Sequence, residues 1–363
     1  MRASIPTTDH PTTGKRANGQ AFRRRASLRP GFALCVLLAF AAAALVSSCG
    51  GGGSNADTVK VQLDWTPNTN HIGIYIALAK GWYKDAGLKV EVLPYTDVNN
   101  NPDQIVANGK ADVGVSFPPN LIFSRAAGLD LVSIAAVLQR HMAELAVLDS
   151  SSIQRPRDLD GKLYAGFGLP YEAPQIQTVI RADGGKGDFE TATLSTAAYE
   201  ALYNKRADFT EIFTAWEGIE ASLRGIKLRT FRYDQYGVPD YPGVVLVARG
   251  DAVAGRQAKL VKFIEVTRRG YEYAAEHPDE AAKLFIDYLP KGTFPEEEMV
   301  KLSTEMLAPV FVASDRHWGF QGAAKWDAYT QWLLKSGTVT DGSDRVLQTL
   351  PGGPLFTNDL LPK

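Results

Sequence analysis

Residues 59–80 read VKVQLDWTPNTNHIGIYIALAK, and the fold turns on this stretch. Val59, Val61 and Leu63 are apolar at alternate positions, with Lys60 and Gln62 between them, which is the period of a half-buried strand. Pro67 then discourages an immediate helix. From His71 to Lys80 the side chains Ile72, Ile74, Tyr75, Ile76, Ala77 and Leu78 predict a helix that is apolar nearly all round.

The same cycle repeats along the chain. Strands are predicted at 88–93, 111–115 and 131–138, with helices near 103–107 and 120–127. A second set begins after Asp149-Ser150-Ser151-Ser152. It holds strands at 163–167, 191–194, 209–213 and 227–231 and helices at 173–182, 197–204 and 216–223. A strongly apolar strand, 244–248, follows Tyr241-Pro242-Gly243, and the rest is nearly all helix: 258–276, 278–288, 295–307 and 323–334. Strands alternating with helices imply crossover units and mostly parallel sheets. Two such sets joined by a helical third suggest two lobes with a cleft where their sheet ends face each other. One large α/β enzyme domain gives the same alternation.

The first 48 residues stand apart. Arg2, Lys15, Arg16, Arg23, Arg24, Arg25 and Arg29 face a single acid, Asp9, and residues 31–46 are uncharged and apolar. Such a run is short for a bilayer span and reads as a signal peptide. Val46-Ser47-Ser48-Cys49-Gly50 resembles a bacterial lipobox, in which Cys49 would carry the lipid; the alternative is a free thiol. Arg24-Arg25-Ala26-Ser27-Leu28-Arg29 partly resembles a twin-arginine signal, and Sec and Tat export both stay open. Residues 49–57, glycine-rich at the start, read as a flexible tether.

Removing the leader takes seven of the 39 basic residues and one of the 40 acids, leaving 32 against 39 and a net charge of −7. That argues against nucleic acid or an anionic membrane surface as partner. Cys35 is lost with the leader, and the mature chain has neither a disulfide nor a cysteine-ligated metal to hold it together. Five histidines without ligand-like spacing give no metal site.

A family resemblance lies in several segments. Leu63-Asp64-Trp65-Thr66-Pro67-Asn68-Thr69-Asn70-His71, Gly73-Ile74-Tyr75 and Ala79-Lys80-Gly81-Trp82-Tyr83 resemble the opening of the NMT1/THI5-like solute-binding proteins. Gly109-Lys110-Ala111-Asp112-Val113-Gly114, Ala215-Trp216-Glu217-Gly218 and Gly237-Val238-Pro239-Asp240-Tyr241-Pro242-Gly243 add to it. The similarity is greatest to the branch that binds formylaminopyrimidine or hydroxymethylpyrimidine, compounds related to thiamine. It implies a type II periplasmic-binding fold: two α/β lobes with a cleft between them, closing by a hinge over a small heteroaromatic ligand and delivering it to ABC permease and ATPase subunits. Lobe one is expected at 58–147 and 244–363, lobe two at 148–243. The expected protein is a monomer on the outer face of the membrane or in the periplasm, without catalytic residues or cofactor.

A flat, donor-rich pyrimidine calls for aromatic faces and a few fixed polar groups. Trp65 and Asn68, in the loop after the first strand, are candidate contacts, while Asn70 reads as a helix N-cap. His71 is either a hydrogen-bond partner of the ligand or a satisfied polar residue at the cleft edge. Tyr171 and Glu172 follow a Gly168-Leu169-Pro170 turn at a sheet end, and Trp216 and Glu217 stand at the next such end. A carboxylate there can accept from an exocyclic amine and a ring N–H. The alternatives are helix-start acids for both glutamates and core packing for Trp216.

The enzymes of the superfamily make the pyrimidine and, as the resemblance implies, use a lysine, a histidine and a cysteine-rich iron motif. Ser116 and Asn120 stand at the first two positions, and the cysteines are absent. Without a lysine there is no Schiff base to pyridoxal phosphate. A flavin is the other ligand of the right chemistry. A sulfonate would need cationic or backbone N–H groups at the site.

Overall fold

The computed structural model describes residues 57–95, 101–255, 258–312 and 317–362. Residues 1–56 lie outside the described residues, and with them Cys49, the leader and nearly all of the tether. Asp57, read from sequence as tether, is the first residue of a strand.

Ten strands form two five-stranded sheets. The first contains β1 (Asp57–Gln62), β2 (Leu88–Leu93), β3 (Val113–Ser116) and β4 (Leu131–Ala136). The second contains β5 (Ala143–Leu148), β6 (Leu163–Gly166), β7 (Glu190–Thr193), β8 (Phe209–Phe213) and β9 (Leu228–Arg232). The last strand, β10 (Val245–Arg249), returns to the first sheet. The orders are β2-β1-β3-β10-β4 and β7-β6-β8-β5-β9. Each sheet therefore has the same plan: parallel strands, with one antiparallel strand inserted fourth that is contributed by a crossing chain. The chain crosses from β4 to β5 and back from β9 to β10.

This plan corrects the lobe boundaries read from sequence. Residues 143–147, assigned to lobe one, belong to β5, which pairs with β8 and β9. Between β4 and β5 only Gln139-Arg140-His141 interrupts the apolar sequence, with no glycine or proline, so no strong turn signal separates the two strands. Nor does all of 244–363 belong to lobe one: Tyr329, Leu333 and Leu334 on the helix Ala323–Lys335, and Val339 after it, pack with Leu145, Tyr164 and Phe209 of lobe two. The same helix puts Trp326 against the first lobe, stacked at 5.7 Å on Phe356.

The two crossing segments touch. Val137 N–H donates to the Val244 carbonyl at 2.8 Å, and Gly243 N–H to the Leu138 carbonyl at 3.0 Å. Asp240 accepts from His141 N–H at 3.1 Å and pairs with Lys325 Nζ at 2.6 Å, which also donates to the Gln139 carbonyl at 2.7 Å. The two crossing segments are thus held side by side and tied to the helix that spans both cores.

The helix Ile72–Ala79 is buried all round because helices 258–276 and 278–288 pack on it. A methyl group at Gly270 would come within 2.0 Å of the Gly73 carbonyl oxygen, so only glycine lets these backbones approach this closely.

Candidate functional site

The loops after the carboxyl ends of β1, β3, β6, β7 and β8 meet between the lobes around a cavity of about 520 Å³. That is within the roughly 300–1,000 Å³ of small-molecule pockets. Asp64 and Trp65 follow β1, Phe117 and Asn120 follow β3, and Phe167 follows β6. Thr193 and Ser195 come from the end of β7; Phe213, Trp216 and Glu217 come from that of β8. Ser195 holds φ at 51°, a left-handed conformation uncommon for a residue with a Cβ. Trp65 is 5.0 Å from Tyr95 and, across the cleft, 6.5 Å edge-to-face from Phe167. Nine phenylalanine, tyrosine and tryptophan rings contribute to the wall.

Five of the seven residues picked from the sequence as ligand contacts line the cavity: Trp65, Asn68, Tyr171, Trp216 and Glu217. His71 and Glu172 do not, and here the structure corrects the sequence reading. His71 is fully buried; its Nδ1 accepts Asn68 N–H at 3.3 Å, which leaves Nε2 to donate to Asp64 Oδ1 at 2.7 Å. It orients Asp64, which does line the cavity. Glu172 is buried as well. Its carboxylate accepts Phe167 N–H at 2.9 Å, Gly168 N–H at 2.8 Å, Leu169 N–H at 2.9 Å and the Tyr164 hydroxyl at 3.1 Å. A helix-start acid facing a run of backbone donors folds back on its own turn and holds Phe167 and Leu169 at the cavity wall.

The two asparagines exchange the roles the sequence suggests. Asn68 is the cap: its Oδ1 accepts Asn70 N–H at 2.9 Å, while Nδ2 donates to the Thr66 carbonyl at 3.2 Å. Asn70 also lines the cavity, and its Oδ1 is buried without a hydrogen-bond partner. A buried acceptor left unpaired is costly, and a ligand N–H is its natural complement.

Glu217 is 9% exposed and sits on a single π-turn, Thr214–Gly218, that continues β8 into the helix Ile219–Leu223. Its Oε2 accepts Phe213 N–H at 3.0 Å, and the Tyr199 hydroxyl bonds the same carboxyl. Burial pushes this carboxyl up to about 7. Trp216 is edge-to-face with Phe294 at 6.2 Å, so one side of it packs on the first lobe's core.

Sequence reasoning missed Glu211, Tyr199, His141 and Tyr241, all of which line the cavity. Glu211 alternates with inward residues on β8, and nothing marks it as different from any half-exposed strand acid. His141 and Tyr241 lie on the crossing segments, whose apposition only the fold reveals. Among the described residues, no lysine or arginine lines the cavity and no group of three or more potential metal ligands occurs.

Two lobes of this strand order, with a cavity between facing sheet ends, define the periplasmic-binding-protein fold. Solved structures agree. The aliphatic sulphonate binding protein SsuA of Escherichia coli matches 82% of this chain and 94% of its own, with a TM-score of 0.56 and 17% identity. The alkanesulfonate-binding protein SsuA of Xanthomonas axonopodis pv. citri, bound to MOPS, covers 77% of this chain and 91% of its own, with a TM-score of 0.58 and 14% identity.

Residues 68–281 match the NMT1/THI5 like family model, and the chain belongs to that family. Among its relatives is a formylaminopyrimidine-binding protein of Halalkalibacterium halodurans, 28% identical over 76% of this chain and 84% of that protein. A 4-amino-5-hydroxymethyl-2-methylpyrimidine phosphate synthase of Saccharomyces cerevisiae is 23% identical over 65% of this chain and 73% of the synthase. The family therefore holds binding proteins and enzymes on one scaffold.

Proposed function

We propose that this protein is the ligand-capturing component of an ABC importer and that it takes up a thiamine-related 4-aminopyrimidine. It would be exported by the leader of residues 1–48, anchored through a lipid on Cys49, and work as a monomer outside the cytoplasmic membrane. The observation that carries the reading is the composition of the cavity wall: aromatic rings from both lobes, the carboxyl of Glu217, the unpaired oxygen of Asn70, and no lysine or arginine among the described residues. Rings stack on a planar ligand, and acceptors read its amino edge.

Two other readings of the family fit the residues less well. A sulfonate lacks N–H donors and would face carboxyls with no cation to meet it. Synthase chemistry through pyridoxal phosphate needs a lysine; Ser116 and Asn120 stand at the expected positions, and no lysine lines the cavity.

Calorimetry with formylaminopyrimidine, hydroxymethylpyrimidine, thiamine and riboflavin tests the ligand, together with mass spectrometry of any molecule retained on purification. The expected outcome is tight binding of a pyrimidine and none of riboflavin. Riboflavin binding with no heat from either pyrimidine would overturn the assignment. For the anchor, Cys49→Ala is expected to abolish acyl labelling and release the protein or leave it unprocessed. Retained labelling at normal processed mass would sink that part.

A further inference from the structure

One further acid stands in the cavity wall beside Glu217. Glu211 is on β8, two residues before Phe213, and lines the same cavity as Glu217. Its Oε2 accepts the Tyr233 hydroxyl at 2.5 Å. Around it stand the tyrosines Tyr164, Tyr171, Tyr233 and Tyr241 and the carboxyls of Glu172 and Glu217. None of these is cationic.

The cavity thus collects the acids Asp64, Glu211 and Glu217. Of these, Asp64 has His71 as a partner, and the other two face no lysine or arginine among the described residues lining the cavity. His141, also in the wall, is held neutral by burial, which pushes it down to about 4. A desolvated carboxylate without a counter-charge is unfavourable, and two near each other repel once both ionise. When these two carboxyls ionise, no described lysine or arginine of the wall meets them, and a ligand cation is their complement.

We propose that Glu211 is a second ligand-reading carboxyl, and that with Glu217 it selects planar heteroaromatic ligands bound as cations through charged N–H donors. This rests on the same cleft holding the ligand, as proposed above. An amidinium, or an aminoheterocycle protonated on its ring nitrogen, spreads one positive charge over N–H donors that match a carboxylate fork. Two carboxyls give such a ligand an ionic partner and a second acceptor; a neutral ring of the same shape leaves one of them uncompensated. Burial holds both glutamates up at about 7, as acids without a cation should be, and a bound cation reverses that cause.

Benzamidinium and benzamide share a ring and a shape and differ in charge, and neither is a pyrimidine. Calorimetry at pH 7.5 on purified protein should show benzamidinium binding at least about tenfold more tightly than benzamide, a difference worth ~1.4 kcal/mol. Glu211→Gln should cost benzamidinium about tenfold and leave benzamide within about twofold. Equal binding of the two probes, binding of neither, or an undiminished cation preference in the variant would overturn the proposal. If Glu211→Gln melts early, Tyr233→Phe removes the hydroxyl that holds Oε2 and should lower benzamidinium affinity alone. Unchanged affinity there counts against the proposal. A cation preference that persists while no aminopyrimidine binds would instead sink the ligand assignment and leave Glu211's role standing.

Discussion

Gly243 lies against the carbonyl of Arg140 so closely that an added methyl group would sit 2.5 Å from that oxygen. These residues are on the two segments that cross between the lobes, bonded to each other at Leu138 and Val244. Gly243→Ala must push the segments apart where they cross between the lobes. Overpacking of this kind costs about 1–3 kcal/mol. Denaturant unfolding is expected to show that loss, and an unchanged midpoint would mean the crossing segments separate freely.

Glu172 supports the wall from behind. Glu172→Gln turns one acceptor oxygen into a donor facing the N–H groups of Phe167, Gly168 and Leu169. A loss of about 1–3 kcal/mol in stability is expected, with weaker ligand binding as Phe167 and Leu169 shift. Stability lost with affinity intact would show that this turn does not shape the site.

Glu217→Gln and Trp65→Ala should fail differently. The first places a donor against the ligand's own N–H, and affinity for an aminopyrimidine should fall by roughly ten- to a hundredfold. An analogue with hydroxyl in place of the exocyclic amine should lose much less. Trp65→Ala removes a face that does not distinguish edges and should weaken all planar ligands alike. Parallel losses across all ligands in both variants would remove the edge-reading role of Glu217.

The pH dependence of stability follows from the two raised carboxyls. Burial lifts Glu211 and Glu217 from 4.5 to about 7 in the folded, unliganded protein. Between those values the folded state keeps protons that the unfolded chain releases, so the stability from these groups is complete below about pH 4.5 and is lost as pH rises to about 7. His141, lowered from 6.5 to about 4, acts the opposite way, its contribution lost as pH falls through that window. Comparing variants removes the histidine from the account. Glu217→Gln should gain melting temperature relative to wild type as pH goes from 5 to 7.5, and a constant difference would show that this carboxyl is not held neutral by burial.

The strands and helices were legible because their periods are local: alternation in Val59-Lys60-Val61-Gln62-Leu63 and an all-apolar run at the helix Ile72–Ala79. The crossing was less so. β5 follows β4 with no glycine or proline between them, and its sheet is chosen by pairing with β8 and β9. Within the cleft, Trp65, Trp216 and Glu217 could be picked out because each follows a strand end. His71 and Glu172 carry the same residue types at the same kind of place, but their hydrogen bonds turn them inward. Glu211 escaped because an acid on a strand has many uses, and only the neighbouring Tyr233 hydroxyl and the absence of cations distinguish it.

The strand order also dictates how the molecule is assembled. Every strand of the second sheet comes from one continuous stretch, Ala143 to Arg232, while the first sheet needs β10 inserted between β3 and β4. A chain emerging amino end first presents β3 and β4 with facing edges unpaired until Val245 to Arg249 appears. The second sheet can pair fully during that interval, with Tyr329, Leu333 and Leu334 joining its core later, and the first sheet must wait through a long loop closure. Refolding should accordingly be biphasic, with the later phase belonging to the lobe whose sequence begins first.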